Sequence, residues 1–159
     1  MKRFRSGDFK CNSRRRVKFC LTDLRTATLL RLTRHEASSS SGCIKIQIWN
    51  RRATLCSTGH SLEHVICNGA SDLDESTAFT VVTDAEDTQY ARLSDCRGRF
   101  LRVNSDSMLV SFTSTPPDND MAAKWRLKCV AETAPRHMVG ANLIENARHP
   151  GMYLAVTRS

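Results

Sequence analysis

Apolar residues along this chain come in short runs or in alternation with polar ones, cut every few positions by Gly, Ser, Asn, Asp or Pro. Few windows longer than about ten residues keep apolar positions at i, i+3, i+4 and i+7, the stripe an amphipathic helix requires. The pattern predicts an all-β chain. Twelve strands are expected, over 16–21, 28–33, 43–49, 53–57, 62–67, 78–83, 89–94, 100–104, 108–113, 124–130, 141–145 and 152–157. Two stretches interrupt them. The segment ASSSSG at 37–42 reads as a flexible polar connection, and TPPDND at 115–120 carries paired prolines that cannot donate to a sheet ladder. Many short strands at regular spacing belong to sandwiches and barrels.

Internal repeats narrow the choice. A strand type recurs as TATLLRL at 26–32, STAFTVV at 76–82 and AAKWRLKC at 122–129. Its central residues Leu30, Phe79 and Trp125 lie 49 and 46 positions apart. The next strand carries Ile46, Leu93 and Leu143, at spacings of 47 and 50. A turn and a third strand follow, as NRRATLCS, CRGRFLRV and HPGMYLAV, with Leu55, Leu101 and Leu154 spaced 46 and 53. Three units of about four strands each, sharing one core because no unit buries its apolar face alone, predict a β-trefoil. The sequence ends with the third unit's MYLAVTRS strand, so segment 16–33 is expected to close the ring in place of that unit's later strands. Leu55, Leu101 and Leu154 should then meet in a common interior.

The same residues resemble a known family. The order STAFTVV, YARLSDCRGRFLRV, AAKWRLKCV, ANLIENARHPGMYLAV is similar to the arabinose-binding module attached to fungal and bacterial α-L-arabinofuranosidase B enzymes. The resemblance runs from Thr26 to Ser159. Weaker similarity links the chain to fascin-type and interleukin-1-type trefoils, the latter through LIENARHPGMYLAV. Membership in the first family would imply a β-trefoil, a sugar ligand and an extracellular setting. It would also imply a pocket built on a His closing the third strand and an Asp leading the first. Here the His positions read Ser57, Val103 and Val156, and the Asp positions read Ala27, Ser76 and Ala122. That ligand set does not carry over. The polar residues of the neighbouring turns, Arg52, Asp95, Arg97, Arg99, Arg102, Arg148 and His149, are the ligand-binding candidates that remain, with a solvated turn as their alternative role.

Composition adds bounds. The chain has 159 residues, 40% of them hydrophobic and 25% charged, an ordinary globular balance that favours one domain. No apolar run approaches the roughly 18 residues of a membrane-spanning helix, so no membrane partner is expected. The first twenty residues lack the apolar core and small-residue cleavage site of a signal peptide. The formal charge of +8 is concentrated at the start: eight basic side chains stand against Asp8 within residues 1–20, leaving +1 for the rest. A basic arm of this kind can dock phosphates, but with no aromatic stacking pattern it reads as a disordered leader over 1–15, ahead of a domain over 16–159. The nearly neutral body argues against nucleic acid as a partner.

Chemistry is sparse. Seven cysteines are an odd number with no CxxC pair, which disfavours a zinc ribbon or a thioredoxin-like site. Cys43, Cys56, Cys67, Cys96 and Cys129 lie in or beside apolar runs, fitting small buried thiols; one or more disulfides is the alternative. His60 and His64 have a helical zinc spacing, but in extended chain they stand about 13 Å apart. The acidic clusters Asp72, Asp74, Glu75 and Asp84, Glu86, Asp87 fall in turns without EF-hand spacing. No nucleophile elbow or phosphate loop occurs. The expectation is a non-catalytic binding module without metal or cofactor, taking a carbohydrate ligand, or, as the alternative, a cytokine-like or fascin-like trefoil taking a protein.

Overall fold

Alternation of the type Val17, Phe19, Leu21 inward and Lys18 outward can bury a face only when strands pair, and pairing is what organises this chain. A computed structural model describes residues 15–34, 42–49, 53–57, 64–68, 77–130 and 140–158. The protein is all-β. Its strands are β1 (Arg15–Thr22), β2 (Leu30–Arg34), β3 (Cys43–Ile48), β4 (Ala53–Ser57), β5 (His64–Asn68) and β6 (Phe79–Thr83). They continue as β7 (Ala91–Ser94), β8 (Phe100–Val103), β9 (Leu109–Thr113), β10 (Trp125–Cys129), β11 (Asn142–Asn146) and β12 (Tyr153–Arg158). A strand stands at each of the twelve expected places, to within a few residues at the ends. The short 3₁₀ turn Met121–Ala123, capped by the Asp120 carboxylate, was not expected from the periodicity. Residues 1–14 of the basic arm, and the first two residues of the expected strand over 62–67, lie outside the described residues.

All twelve strands belong to one hydrogen-bonded sheet, in the order β10-β11-β12-β1-β5-β4-β3-β6-β7-β8-β9, with β2 pairing β3 and β11. One pairing scheme recurs in it. First and second strands match through Leu32↔Ile46, Val81↔Leu93 and Leu127↔Ile144. Second and third strands match through Gln47↔Thr54, Ser94↔Phe100 and Glu145↔Tyr153. Third and fourth strands match through Leu55↔Ile66, Leu101↔Phe112 and Leu154↔Leu21. Neighbouring groups of strands are joined by Ile44↔Phe79, Ala91↔Trp125 and Asn142↔Leu30. In this scheme β1 follows β12 as β5 follows β4 and β9 follows β8, and β1 also pairs β5 and β9.

The register corrects one expected marker. The residue equivalent to Ile46 and Leu93 is Ile144, not Leu143, because Ile144 is the one opposite Leu127. Both are buried, but Ile144 is 0% exposed and belongs to the central cluster. The other expected triplets hold their positions. Leu55, Leu101 and Leu154 are 2%, 3% and 1% exposed and share one core with Leu30, Phe79 and Trp125. Each such leucine stabilises the fold by about 1.5–3 kcal/mol through area removed from water. Trp125 keeps its indole N–H satisfied by donating to the Leu101 carbonyl at 2.9 Å, and Phe79 stacks on Phe112 with centroids 5.7 Å apart.

The cysteines divide. Cys43 and Cys56 are buried, as apolar-run thiols should be, but Cys96 sits exposed in the β7–β8 turn and Cys129 exposed at the end of β10. Leu93 and Leu101 on either side of Cys96 are buried and Leu127 before Cys129 is half-buried, while both thiols lie where the chain leaves a strand.

Candidate functional site

The turn between β7 and β8 contains three of the expected ligand residues, and their geometry is that of a brace. Asp95 directly follows β7, with its side chain fully buried. One carboxylate oxygen accepts the backbone N–H groups of Arg97 and Arg99 at 3.0 and 2.8 Å, closing the turn, with Gly98 at φ +77° where an L side chain would be strained. The other oxygen accepts the Ser57 hydroxyl at 2.6 Å and the Arg99 guanidinium at 2.8 Å. Burial pushes the Asp95 carboxyl upward, but the Ser57 hydroxyl, the Arg99 backbone N–H and the Arg99 charge outweigh it and hold the group below the usual carboxylate range. Arg97 is exposed on the same turn.

Asn146 occupies the equivalent position in the β11–β12 turn. Its side-chain oxygen accepts from Arg148 and His149 at 3.1 and 3.2 Å, and its amide donates to the Ala122 carbonyl at 3.1 Å. Arg148 is exposed, and His149 pairs through Nε2 with the Ser105 hydroxyl at 3.0 Å, tying this turn to the one between β8 and β9. Arg102 donates to the Asp120 carboxylate at 2.6 Å. Arg52 lies outside the described residues, as do Arg51 and the cluster Asp72, Asp74, Glu75. Trp49 is half-buried, and a Cβ on Gly140 would meet the edge of its ring at 3.4 Å.

The structure gathers Asp95, Arg97 and Arg99 in one turn and Arg148 and His149 in another, and leaves Arg102 apart from both. Among the described residues, two clefts stand out. Arg102 lines one of about 590 Å³ with Thr113, Ser114, Pro116 and Pro117, an open groove beside the paired prolines. The other, of about 520 Å³, contains none of the expected ligand residues. It lies between the end of β6, the turn after it, Arg92 of β7 and the segment leading into β10.

The floor of this second cleft is charged and covered. Lys124 is 9% exposed and its ammonium pairs with Asp84. Asp84 also accepts the backbone N–H groups of Glu86 and Asp87 at 2.9 and 3.4 Å, so the acidic turn noted in the sequence caps itself. The Lys124 hydrogen bond, reinforced by the turn amides, holds the Asp84 carboxyl below its ordinary value. Arg92 lays its guanidinium over the Phe100 ring, 4.8 Å from the centroid. Its Nη1 is buried and no hydrogen-bond acceptor among the described residues reaches it; the nearest carboxylate oxygen, on fully exposed Asp118, is 3.8 Å away. A covered donor left without an acceptor costs about 1–3 kcal/mol. The rim is mixed: Thr83, Glu86, Asp118 and Asn119 offer donors and acceptors, while exposed Val82 and Met121 supply apolar surface.

A guanidinium, carboxylates, an amide and a hydroxyl around one concavity can exchange hydrogen bonds with a polyhydroxylated ligand, whose hydroxyls both donate and accept. Among the described residues no group of three or more His, Cys, Asp or Glu side chains could hold a metal ion. Compared with protein-family models and with curated proteins, the chain has no match.

Sequence reasoning missed Arg92 and Lys124. Each reads as one more polar position in an alternating strand, and neither has a neighbour in sequence that marks it. The one signal in sequence is the acidic turn beginning at Asp84, which by itself shows carboxylates without EF-hand spacing and not their pairing with Lys124.

Proposed function

We propose that this protein is a non-catalytic carbohydrate-binding module of β-trefoil architecture, similar to the arabinose-binding modules of α-L-arabinofuranosidase B enzymes. The trefoil reading is supported by the pairing scheme that recurs in three groups of four strands, and by the convergence of Leu55, Leu101 and Leu154 in one core. In this reading β1 is the fourth strand of the third unit, supplied from the start of the chain.

The carbohydrate reading is carried by one observation, the cleft of about 520 Å³ lined by Thr83, Asp84, Glu86, Arg92, Asp118 and Asn119. Its volume lies within the roughly 300–1,000 Å³ of small-ligand sites. Its lining offers donors and acceptors in a density that suits hydroxyls, with Val82 and Met121 available to the apolar face of a sugar ring. This differs from the set used by the resembled family, so the ligand need not be arabinose.

A glycan array that includes arabinose-bearing oligosaccharides tests the reading, run on the full chain and on the double variant Thr83→Ala with Asn119→Ala. Both residues are exposed and outside the core. The full chain should bind a definable glycan class and the variant should bind it about tenfold more weakly, as expected for losing two ligand hydrogen bonds. Absence of binding to any glycan, or equal binding by both proteins, would contradict it.

The protein-binding alternative draws on Leu24 and Leu109, which are 58% and 46% exposed, one following β1 and the other on β9, its pairing partner. A binding activity removed by Leu109→Ser and untouched by the cleft variant would favour that alternative.

A further inference from the structure

Building on the carbohydrate reading of the same cleft, we infer that its ligand presents a carboxylate to Arg92: an acidic sugar rather than a neutral one. The floor carries two cations, Arg92 and Lys124, against the single carboxylate of Asp84. Asp84 is committed to Lys124 and to two turn amides, which leaves the guanidinium with only a long ion pair, 3.8 Å to the fully exposed Asp118. Arg92 is a fixed recognition group, because its side chain is only 19% exposed and its guanidinium lies over the Phe100 ring. The covered Nη1, with no acceptor among the described residues, marks the side of the guanidinium that lacks a partner.

Asp118 does not meet that need. Its oxygen stands 3.8 Å from Nη1, beyond hydrogen-bond range, and its side chain is fully solvated on the proline-rich segment. A planar carboxylate entering the cleft displaces it and takes two parallel N–H···O bonds from the guanidinium, the geometry for which Arg is suited and Lys is not. The rim carboxylates Glu86 and Asp118 oppose an anion, but both are exposed and screened by water and salt, whereas Arg92 is not. The ring hydroxyls of the same ligand are left to Thr83 and Asn119.

Calorimetry with matched oligosaccharides, one series terminating in galacturonate or glucuronate and the other in galactose or glucose, decides the point. The uronate series should bind about tenfold tighter. Arg92→Lys should abolish the preference, and Asp118→Ala, at an exposed position, should raise uronate affinity about threefold. Neutral sugars binding as well as uronates, or Asp118→Ala leaving uronate affinity unchanged, would overturn the inference while the carbohydrate reading stood. Failure of both series to bind would overturn the two together.

Discussion

The Ser57 hydroxyl donates to the Asp95 carboxylate at 2.6 Å, fastening the end of β4 to a turn 38 residues further along the chain. Strand pairing joins these parts of the molecule only indirectly, so this bond and the Arg99 guanidinium that touches both partners fix how the β7–β8 turn sits on the first group of strands. A buried carboxylate is tolerable there only because every partner is present.

Removal of one partner should therefore cost more than the bond itself. Arg99→Gln leaves a buried anion short of its cation and is expected to destabilise the protein by about 3 kcal/mol, against about 1 kcal/mol for Ser57→Ala. Urea unfolding of the two variants checks the order; equal and negligible losses would show the brace to be dispensable.

Acid should loosen this brace and the turn held by Asp84. Asp95 and Asp84 both have folded-state values held below the ordinary carboxylate range, so each contributes stability that is complete above the unfolded value of about 4. That contribution is lost as pH falls through the depressed folded value. Unfolding free energy should thus be flat from neutrality to about pH 5 and fall below about pH 4. Asp95→Asn should shallow the fall; an unchanged slope would mean that Asp95 is not linked to folding.

The interior makes a symmetric prediction. Leu55→Ala, Leu101→Ala and Leu154→Ala each delete a side chain of the same cluster that is at most 3% exposed, and each should cost about 2–5 kcal/mol. Thermal unfolding of the three variants should give similar losses. One nearly neutral variant would separate its leucine from the shared core.

Backbone conformation rather than packing governs Gly98. A Cβ there meets nothing within 4 Å, yet φ is +77°, so Gly98→Ala should lose about 1 kcal/mol with no steric cause. Asn at the same position, which tolerates the left-handed region, should lose less. Equal stability of all three proteins would show the turn to be free to change its conformation.

The strands were legible in the sequence because alternation is a local signal, and so were the recurring core positions, because Leu55, Leu101 and Leu154 recur at the similar spacings of 46 and 53 residues. The third unit's second strand shows where such reading stops. NLIEN offers two adjacent apolar residues, Leu143 and Ile144, both buried, and periodicity alone does not choose between them; only the pairing of Ile144 with Leu127 does. The candidate site was less legible still. Asp95 and Arg99 look like surface turn residues in sequence, and their buried contact depends on Ser57, distant in the chain. The Arg92 cleft draws on residues from 82 to 124, and its decisive features, a guanidinium lying over an aromatic ring and a lysine paired with a turn carboxylate, exist only after β7 and β10 have come together at Trp125↔Ala91.

An NMR titration of the ¹⁵N-labelled full chain with a bound glycan from the array tests the assignment of the ligand site most directly. The account predicts concentration-dependent shifts concentrated at Thr83, Asp84, Arg92, Asn119, Met121 and Lys124. Shifts confined to the turns around Arg97 and Arg148, with the cleft silent, would contradict it.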